Sequence, residues 1–501
     1  MAHFSPLPLG QRIPGSPHAV SCSLPTMRDV RGYEEKDPVT MRSVVSGYPR
    51  FVVHPFARQL VDHLVASTPA LAGRTLWLTS SRRMAEALFA HLSQASGASL
   101  FASEGIHGVS HPESSDLFGR AKVFLQNIGG FISSREAEDQ LVRRQLIPSA
   151  FGEEVFAGEA TAEIRRVLQR ALATAHAGDV LMANSGMNAI YAAFRASAEI
   201  QLPRQRTVWL QLGWLYLDTI AILKKFAATP ADYVYVRDPH DRDGIERIFA
   251  RHGAQIAGVF AEVPTNPLIE TPDIPALAAL CRQHGAHLIL DPSVSSIFNL
   301  DLLPHADVVV MSLTKYTGSA GDVLAGAAVI NPARPDAAEL RERTAAWLEP
   351  VYARDLSRLA AQIRETESVL AQIHRNTARV AAFLETHPAV RDVFWALRPA
   401  SRANYLKIAR APEATGGMIT FTLRTPMEPF YNRLRLPKGP SFGMTTTLIC
   451  PFMYLAHYNL VTTPAGLAEL SASRLDPDLL RLCCGSEPAE EIIGALAEAL
   501  G

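Results

Sequence analysis

Between residues 180 and about 350, short apolar runs alternate with stretches of helical periodicity, and few folds accept that alternation. Val180–Met182, Thr207–Leu210, Tyr233–Val236, Ile256–Val263, His287–Leu290 and Asp307–Met311 have strand length, and the last is rich in β-branched residues. Helix-like segments fall between them. Met187, Ile190, Tyr191 and Phe194 keep the i, i+3, i+4, i+7 spacing of one helix face. The pattern predicts an α/β domain with a doubly wound, mostly parallel sheet. Beyond about residue 355, a long helical segment and a strand at Gly416–Thr422 predict a smaller C-terminal α+β domain.

Ligands of doubly wound folds gather at strand ends, and three of these runs end on chemically useful residues. Asp307–Met311 leads into Ser312-Leu313-Thr314-Lys315-Tyr316, followed by Gly318, Ser319 and Gly321. His287–Leu290 ends at Asp291, and Val180–Met182 precedes Asn184-Ser185-Gly186-Met187. Taken singly, these are an ordinary surface lysine, a turn aspartate and a helix N-cap at Ser185. Together they are an amine, a carboxylate and an anion-binding helix start. Pyridoxal phosphate requires all three: a lysine for its aldehyde, an acid beside its pyridine nitrogen and a seat for its phosphate.

The order Ser-Gly-Met (185–187), Pro-Thr-Asn-Pro (264–267), Asp291 and Ser-x-Thr-Lys (312–315) resembles the Cys/Met-metabolism family of pyridoxal-phosphate enzymes. That family includes cystathionine γ-synthases, cystathionine lyases and homoserine sulfhydrylases. The resemblance runs from about residue 180 to the C-terminus. Pro17-His18-Ala19-Val20-Ser21, Ser23-Leu24-Pro25-Thr26 and Gly47-Tyr48-Pro49-Arg50-Phe51 further resemble the long, fungal-type cystathionine γ-synthases. The resemblance implies a fold-type I pyridoxal-phosphate transferase with Lys315 as its catalytic residue. It implies that Gly186, Met187, Ser312 and Thr314 hold the phosphate, that Asp291 pairs with the ring nitrogen, and that Ser293 and Asn266 flank the ring. An aromatic residue should stack on the ring, Trp214 before Tyr216. Arg481, in Arg-Leu-Cys-Cys-Gly, would fork onto the substrate α-carboxylate, and Ser441, in Ser-Phe-Gly, would line the same pocket. Two departures stand out: Val53-His54-Pro55 replaces the family's Asn-Pro-Thr, and Asp-Pro-Ser (291–293) replaces Asp-Asn-Thr.

Residues 1–70, with a first stretch rich in Pro, Gly and Ser, are expected to form an N-terminal arm. Residues 71–355 form the expected cofactor domain, with an insertion at about 71–175, and residues 356–501 the C-terminal domain. Tyr48 and Arg50 would face one side of an extended segment and could clamp a phosphate. In the family such a pair reaches the cofactor of the neighbouring subunit, which implies a homodimer or homotetramer with shared active sites. Within the insertion, Thr75–Thr79 is strand-like, Met84–Phe89 helix-like and residues 160–175 helical. Its isolated His107, His111 and Arg135 do not point to chemistry.

A net charge of −1, without a dense Lys/Arg run, argues against nucleic acid or a membrane surface as partner. No apolar run approaches the ~18 residues of a membrane span, and the N-terminus carries no signal-peptide pattern. Five scattered cysteines without Cys-x-x-Cys argue against a disulfide framework or a metal site, and for a reducing cytoplasm. The expected partners are small amino-acid substrates. The expected reaction is γ-replacement, joining an O-acylhomoserine and cysteine into cystathionine, a transsulfuration step of methionine biosynthesis. Cystathionine γ- or β-lyase and O-acylhomoserine sulfhydrylase activity stay open, as does a non-catalytic, partner-binding relative.

Overall fold

The computed structural model describes residues 4–48, 50–92, 97–173 and 176–501. Pro49, between Tyr48 and Arg50, and residues 174–175, at the end of an expected helix, lie outside the described residues.

The arm carries α1 (Met27–Glu34), started by a reciprocal cap. The Thr26 hydroxyl accepts from the Asp29 N–H while the Asp29 carboxylate accepts from the Thr26 N–H. Met27, Val30 and Tyr33 of α1 are buried against Ile419, Phe421 and Leu480 of the C-terminal region. Next comes α2 (Pro55–Ser67), opened by a proline where a missing N–H costs nothing. Its Leu60 and Leu64 share a core with Leu76, Leu78, Ile106 and Leu141 of the insertion.

The insertion has its own antiparallel sheet of β1 (Arg74–Thr79), β2 (Ser99–Ser103) and β3 (Ile106–Pro112), with β3 central. It continues through α3 (Ser115–Ile128), α4 (Ser134–Arg143) and α5 (Ala160–Leu172). α3 ends at Gly129, whose φ of 72° suits a helix stop. A side-chain carbon there would sit 2.2 Å from Ser185 Oγ, so glycine lets the insertion touch the start of the next domain's first helix. Arg135 is spent inside the fold: it donates to Glu153, to Asp355 Oδ1 (2.8 Å) and to the Asp322 carbonyl (2.8 Å). His111 accepts from Trp77 Nε1 at 3.1 Å.

The cofactor domain contributes β4 (Val180–Ala183), β5 (Val208–Leu212), β6 (Tyr233–Val236), β7 (Ile256–Glu262), β8 (His287–Asp291), β9 (Val308–Ser312) and β10 (Gly326–Ile330). They form one sheet in the order β4-β10-β9-β8-β7-β5-β6. β10 runs antiparallel to both neighbours, and the other pairs are parallel. Every residue of β5, β7, β8 and β10 is buried, as helices on both faces require. α6 (Gly186–Gln201) follows β4, and α7 (Leu217–Phe226) follows β5. The C-terminal domain adds α8 (Thr366–Thr386) and the antiparallel strands β11 (Val390–Phe394), β12 (Met418–Leu423), β13 (Leu448–Pro451) and β14 (Leu480–Cys483), ordered β11-β12-β14-β13.

Glu349 ties the insertion to the cofactor domain. Its buried carboxylate accepts from Ser80 Oγ (2.6 Å) and Arg83 Nε (3.1 Å). Its backbone accepts from the Asn184 N–H and donates to Asn188 Oδ1, at 3.2 and 2.7 Å. Among the described residues, no helix is long and apolar enough to cross a membrane, and no cluster of three His, Cys, Asp or Glu could hold a metal. All five cysteines are free and buried.

Candidate active site

The strand ends β4, β7, β8 and β9 open onto a cavity of about 240 Å³, whose lining includes Tyr48, Arg50, Gly186, Asp291, Lys315 and Arg481. Lys315 sits in the turn after β9, and its Nζ donates to Ser441 Oγ at 2.6 Å. The Nζ also lies 4.7 Å from the ring of Tyr48 and 4.8 Å from that of Phe442. Burial pushes the Lys315 ammonium well below the usual lysine range, and the charges of Arg481 and Arg50 push it further. A buried lysine with that bias can act as a neutral amine, a nucleophile and a base. Ser441 takes φ 82°, a left-handed conformation costly for a side chain with Cβ. Tyr316 beside it (φ 57°) donates its N–H to the Gly443 carbonyl at 2.7 Å, which fixes the 441–443 loop over the lysine.

Asp291 ends β8 and accepts from the Ser293 N–H at 2.8 Å. Burial pushes its carboxyl up to about 6. Its partner in the parallel register is Glu262, whose Oε1 accepts from the Tyr216 N–H at 2.5 Å. Burial, then the neighbouring Asp291, pushes Glu262 well above the carboxylate range. Two buried carboxyls side by side call for a cation or a shared proton. A protonated pyridine nitrogen meets that need.

Ser185 caps α6 by accepting from the Asn188 N–H at 3.2 Å. At Gly186 a side-chain carbon would lie 2.8 Å from Ser312 Cβ, so only glycine allows the helix start to approach β9. Gly186, Met187, Ser312 and Tyr48 all line the cavity, and the Arg50 guanidinium lies 5.4 Å from the Tyr48 ring. Ser293 Oγ accepts from the Ser312 N–H at 2.9 Å. This end offers N–H groups, hydroxyls and a guanidinium, the donor set of a phosphate seat. With Asp291 and Lys315 lining the same cavity, the residues fit pyridoxal phosphate.

Arg481, on β14, donates to Asn266 Oδ1 (3.4 Å) and to the Ser441 carbonyl (3.2 Å), and it packs on Phe452 and Phe442. Two of its five donors are used there, so a carboxylate still finds a fork. At the mouth stand Glu34 and Lys36 of the arm and Lys122 of the insertion. Glu34 is pushed up to about 7 by burial, against the pull of both lysines.

Three placements differ from expectation. Trp214 does not line the cavity: Gly213 turns the chain (φ 68°), and the indole Nε1 donates to His457 Nε2 at 3.1 Å among Leu268, Phe452, Met453 and Leu470. Tyr216 lines the cavity instead. Thr314 also faces away, because the chain turns after Ser312 and its hydroxyl accepts from the Ala325 N–H at 3.3 Å. Tyr48 and Arg50, expected at a neighbouring subunit, lie in the pocket of their own chain. Arg50 NH1 donates to Asp218 Oδ2 and to the Gln126 carbonyl, each at 2.8 Å, and NH2 donates to the Tyr216 hydroxyl at 2.7 Å.

Sequence reasoning missed Glu262, Asp218 and the insertion's Gln126 and Asn127. Glu262 adjoins the Pro-Thr-Asn-Pro motif at a strand end, a signal that could have found it. Asp218, in the first turn of a helix, looks like an ordinary dipole partner.

The sequence model of the Cys/Met metabolism PLP-dependent enzymes matches residues 159–501, and the chain belongs to that family. Its cofactor is pyridoxal phosphate. The chain is 40% identical over 487 residues to the L-2-amino-4-chloropent-4-enoate dechlorinase/desaturase of Streptantibioticus cattleyicolor, covering 97% of each protein. It is 25% identical over 618 residues to the cystathionine gamma-synthase of Neurospora crassa, covering 99% of this chain and 98% of that one. Its fold is shared with cystathionine gamma-lyase from Lactobacillus plantarum: TM-score 0.58 at 20% identity, over 68% of this chain and 86% of that one. The chain is thus an enzyme of small amino-acid substrates, like its family.

Proposed function

We propose that the enzyme expels a γ-substituent from one short L-α-amino acid, as the name of the Streptantibioticus relative describes, without adding a second amino acid. The observation that carries this reading is the size and wall of the cavity. About 240 Å³ must serve cofactor and substrate together, below the ~300–1,000 Å³ of sites for drug-sized ligands. Its walls include Phe51, Leu217, Phe442, Phe452, Leu455 and Ala456. A short apolar side chain suits them, and 2-amino-4-chloropent-4-enoate has one.

Bound pyridoxal phosphate supplies an electron sink for charge at the substrate α-carbon. Arg481 holds the α-carboxylate with its free donors. The Lys315 amine takes the α-proton and then serves the β-carbon, and its low basicity keeps it neutral until it does so. Once protonated, it is received by Ser441 Oγ and by the faces of Tyr48 and Phe442. Chloride leaves C4 with one proton lost overall and one unsaturation gained, so no outside oxidant is needed. Asp291 would hold the cofactor's ring nitrogen, Asn266 and Ser293 would flank the ring, and Tyr216 would supply the aromatic face against it.

The second reading is γ-replacement giving cystathionine. The full-length likeness to the Neurospora enzyme supports it, and so does the charged mouth, where Lys36 and Lys122 offer a second amino acid's carboxylate a cation. Lyase and sulfhydrylase activities share its first half. Five buried free cysteines support a cytoplasmic location, and the family's habit supports a dimer or tetramer.

The test is chloride release from 2-amino-4-chloropent-4-enoate by the holoenzyme, beside O-succinyl- and O-acetylhomoserine, each with cysteine, sulfide or no nucleophile. Chloride release without a nucleophile is expected. Faster cystathionine formation from an acylhomoserine would replace this reading with the second. Silence on every substrate would overturn both readings of the reaction.

A further inference from the structure

We infer that Lys36 and Lys122 form an anion site at the mouth of the pocket, which receives the γ-substituent as it leaves the substrate. The inference rests on the reading above that this substituent departs as an anion, and it holds for chloride or for the carboxylate of an acyl group. With the chlorinated substrate, the C4–Cl bond breaks with both electrons on chlorine, and the proton given up passes through Lys315 to solvent. The product to be cleared is a small anion, in a cavity whose walls include Phe51, Leu217, Phe442 and Phe452. An unpaired charge is costly against such walls. Five basic side chains line the cavity: Lys36, Arg50, Lys122, Lys315 and Arg481. Three are committed. Arg50 pairs with Asp218 at 2.8 Å and belongs to the phosphate end. Arg481 takes the α-carboxylate, and Lys315 handles the protons. Lys36 and Lys122 are left for the departing anion.

The local geometry supports this. Lys36 Nζ donates to the Tyr33 carbonyl at 2.7 Å and lies 4.4 Å from the centre of the Tyr33 ring, itself part of the cavity wall. Two of its three ammonium hydrogens stay free. Lys36 follows the end of α1 with φ 58°, a conformation that glycine takes without cost and lysine does not. A lysine in that strained position points to use at the mouth rather than to folding. Lys122, on α3, makes no hydrogen bond among the described residues. Burial, then the charge of Lys36, pushes its ammonium below the usual lysine range. Two like charges that share one mouth are relieved by an anion between them. Glu34 beside them is pushed up to about 7 by burial, so near neutral pH it carries its proton roughly half the time and cancels only part of their charge. The two lysines meet in the same way if the arm comes from a second copy of the chain.

Two measurements test this. The first reads chloride binding without turnover, from the chlorine NMR line width of sodium chloride added to the cofactor-loaded enzyme at constant ionic strength. Glycine is present throughout, because its carboxylate occupies Arg481 and it has no γ-substituent. Lys36→Gly, which relieves the left-handed backbone, is combined with Lys122→Met. The double variant is expected to bind chloride about tenfold more weakly or worse, the worth of a hydrogen bond to a charged group. Equal broadening by wild type and variant overturns the inference. If the double variant does not fold, Lys122→Gln alone is read in the same way. The second measurement follows product inhibition. Chloride is added to the 2-amino-4-chloropent-4-enoate reaction, and acetate or succinate to the reaction of the matching acylhomoserine. In the double variant, the inhibition constant of the released anion is expected to rise about tenfold. An unchanged constant overturns this inference and leaves the reading of the reaction standing. Turnover of an acylhomoserine but not of the chlorinated amino acid overturns that reading, while relief of acetate or succinate inhibition in the variant still upholds the anion site.

Discussion

The floor of the pocket is made of strand ends. Gly186, Asp291, Ser312 and Lys315 lie at or just beyond the ends of strands of one sheet, and neighbouring strands set their spacing. The roof is assembled from three distant parts of the chain: Tyr48 and Arg50 from the arm, Gln126 and Asn127 from the insertion, and Asp218 from α7. Floor positions are held by backbone ladders, which a point substitution barely disturbs. Roof positions are held mainly by side chains, so most of the links are single removable contacts. The floor should therefore carry chemistry and tolerate little at its reactive groups, while the roof should tune cofactor affinity.

The sharpest separation is expected at Lys315. Lys315→Ala removes the reactive amine of the floor, and turnover is expected to fall at least ~10²–10⁴-fold from lost proton transfer alone. Borohydride should no longer trap an adduct. A variant with near wild-type turnover would break the assignment of chemistry to the floor.

Arg481→Lys comes next. The charge stays and the fork goes, so KM is expected to rise about 10- to 100-fold, from ~1.5–3 kcal/mol of charged hydrogen bonding. Cofactor affinity should hold. An unchanged KM removes Arg481 from substrate binding.

The buried carboxyl gives a pH test. Its folded-state pKa lies above the unfolded value of 3.8, at about 6. The cofactor-free fold therefore favours the protonated carboxyl, and stability is lost as pH rises from 3.8 to about 6. Asp291→Asn mimics the protonated form. It is expected to stabilise the cofactor-free protein by ~2–3 kcal/mol above pH 6 and to change little below pH 4, at ~1.4 kcal/mol per pKa step. Thermal melts across that range decide the matter, and an equal effect at both ends would contradict it.

The smallest effects separate two aromatic residues. Tyr216→Phe removes the acceptor of Arg50 NH2 and is expected to weaken cofactor binding by ~1 kcal/mol. Trp214→Phe breaks the bond to His457 and is expected to cost similar stability with cofactor affinity intact. The reverse pattern would put Trp214 back at the ring.

The floor was legible because its signals are local. A β-branched run, a lysine after it and glycines beyond it predict Lys315 at a strand end. Ser185 and Gly186 announce a helix start by type and position. The roof was not legible, because its contacts join residues far apart in sequence. Gln126 and Asp218 are 92 positions apart, and neither carries a local pattern. Where local reading failed within the floor, backbone direction decided. One turn after Ser312 aims Thr314 at Ala325, and Gly213 sends Trp214 behind the wall. Glu262 shows the middle case: its position beside a recognised motif was visible, while its pairing with Asp291 came from the register of β7 on β8.

Glu349 bears on how such a chain could be shortened. Its carboxylate, wholly buried, draws its side-chain partners from Ser80 and Arg83. Excising the insertion would strip those partners away and leave an orphaned negative charge beside Asn184 and Asn188, at the mouth of the phosphate helix. Asp218 would lose both amides in the same cut. A minimal version of the enzyme is thus not reached by trimming. It would require neutralising both acids together, for instance Glu349→Gln with Asp218→Asn, before the cofactor domain could stand without its companion.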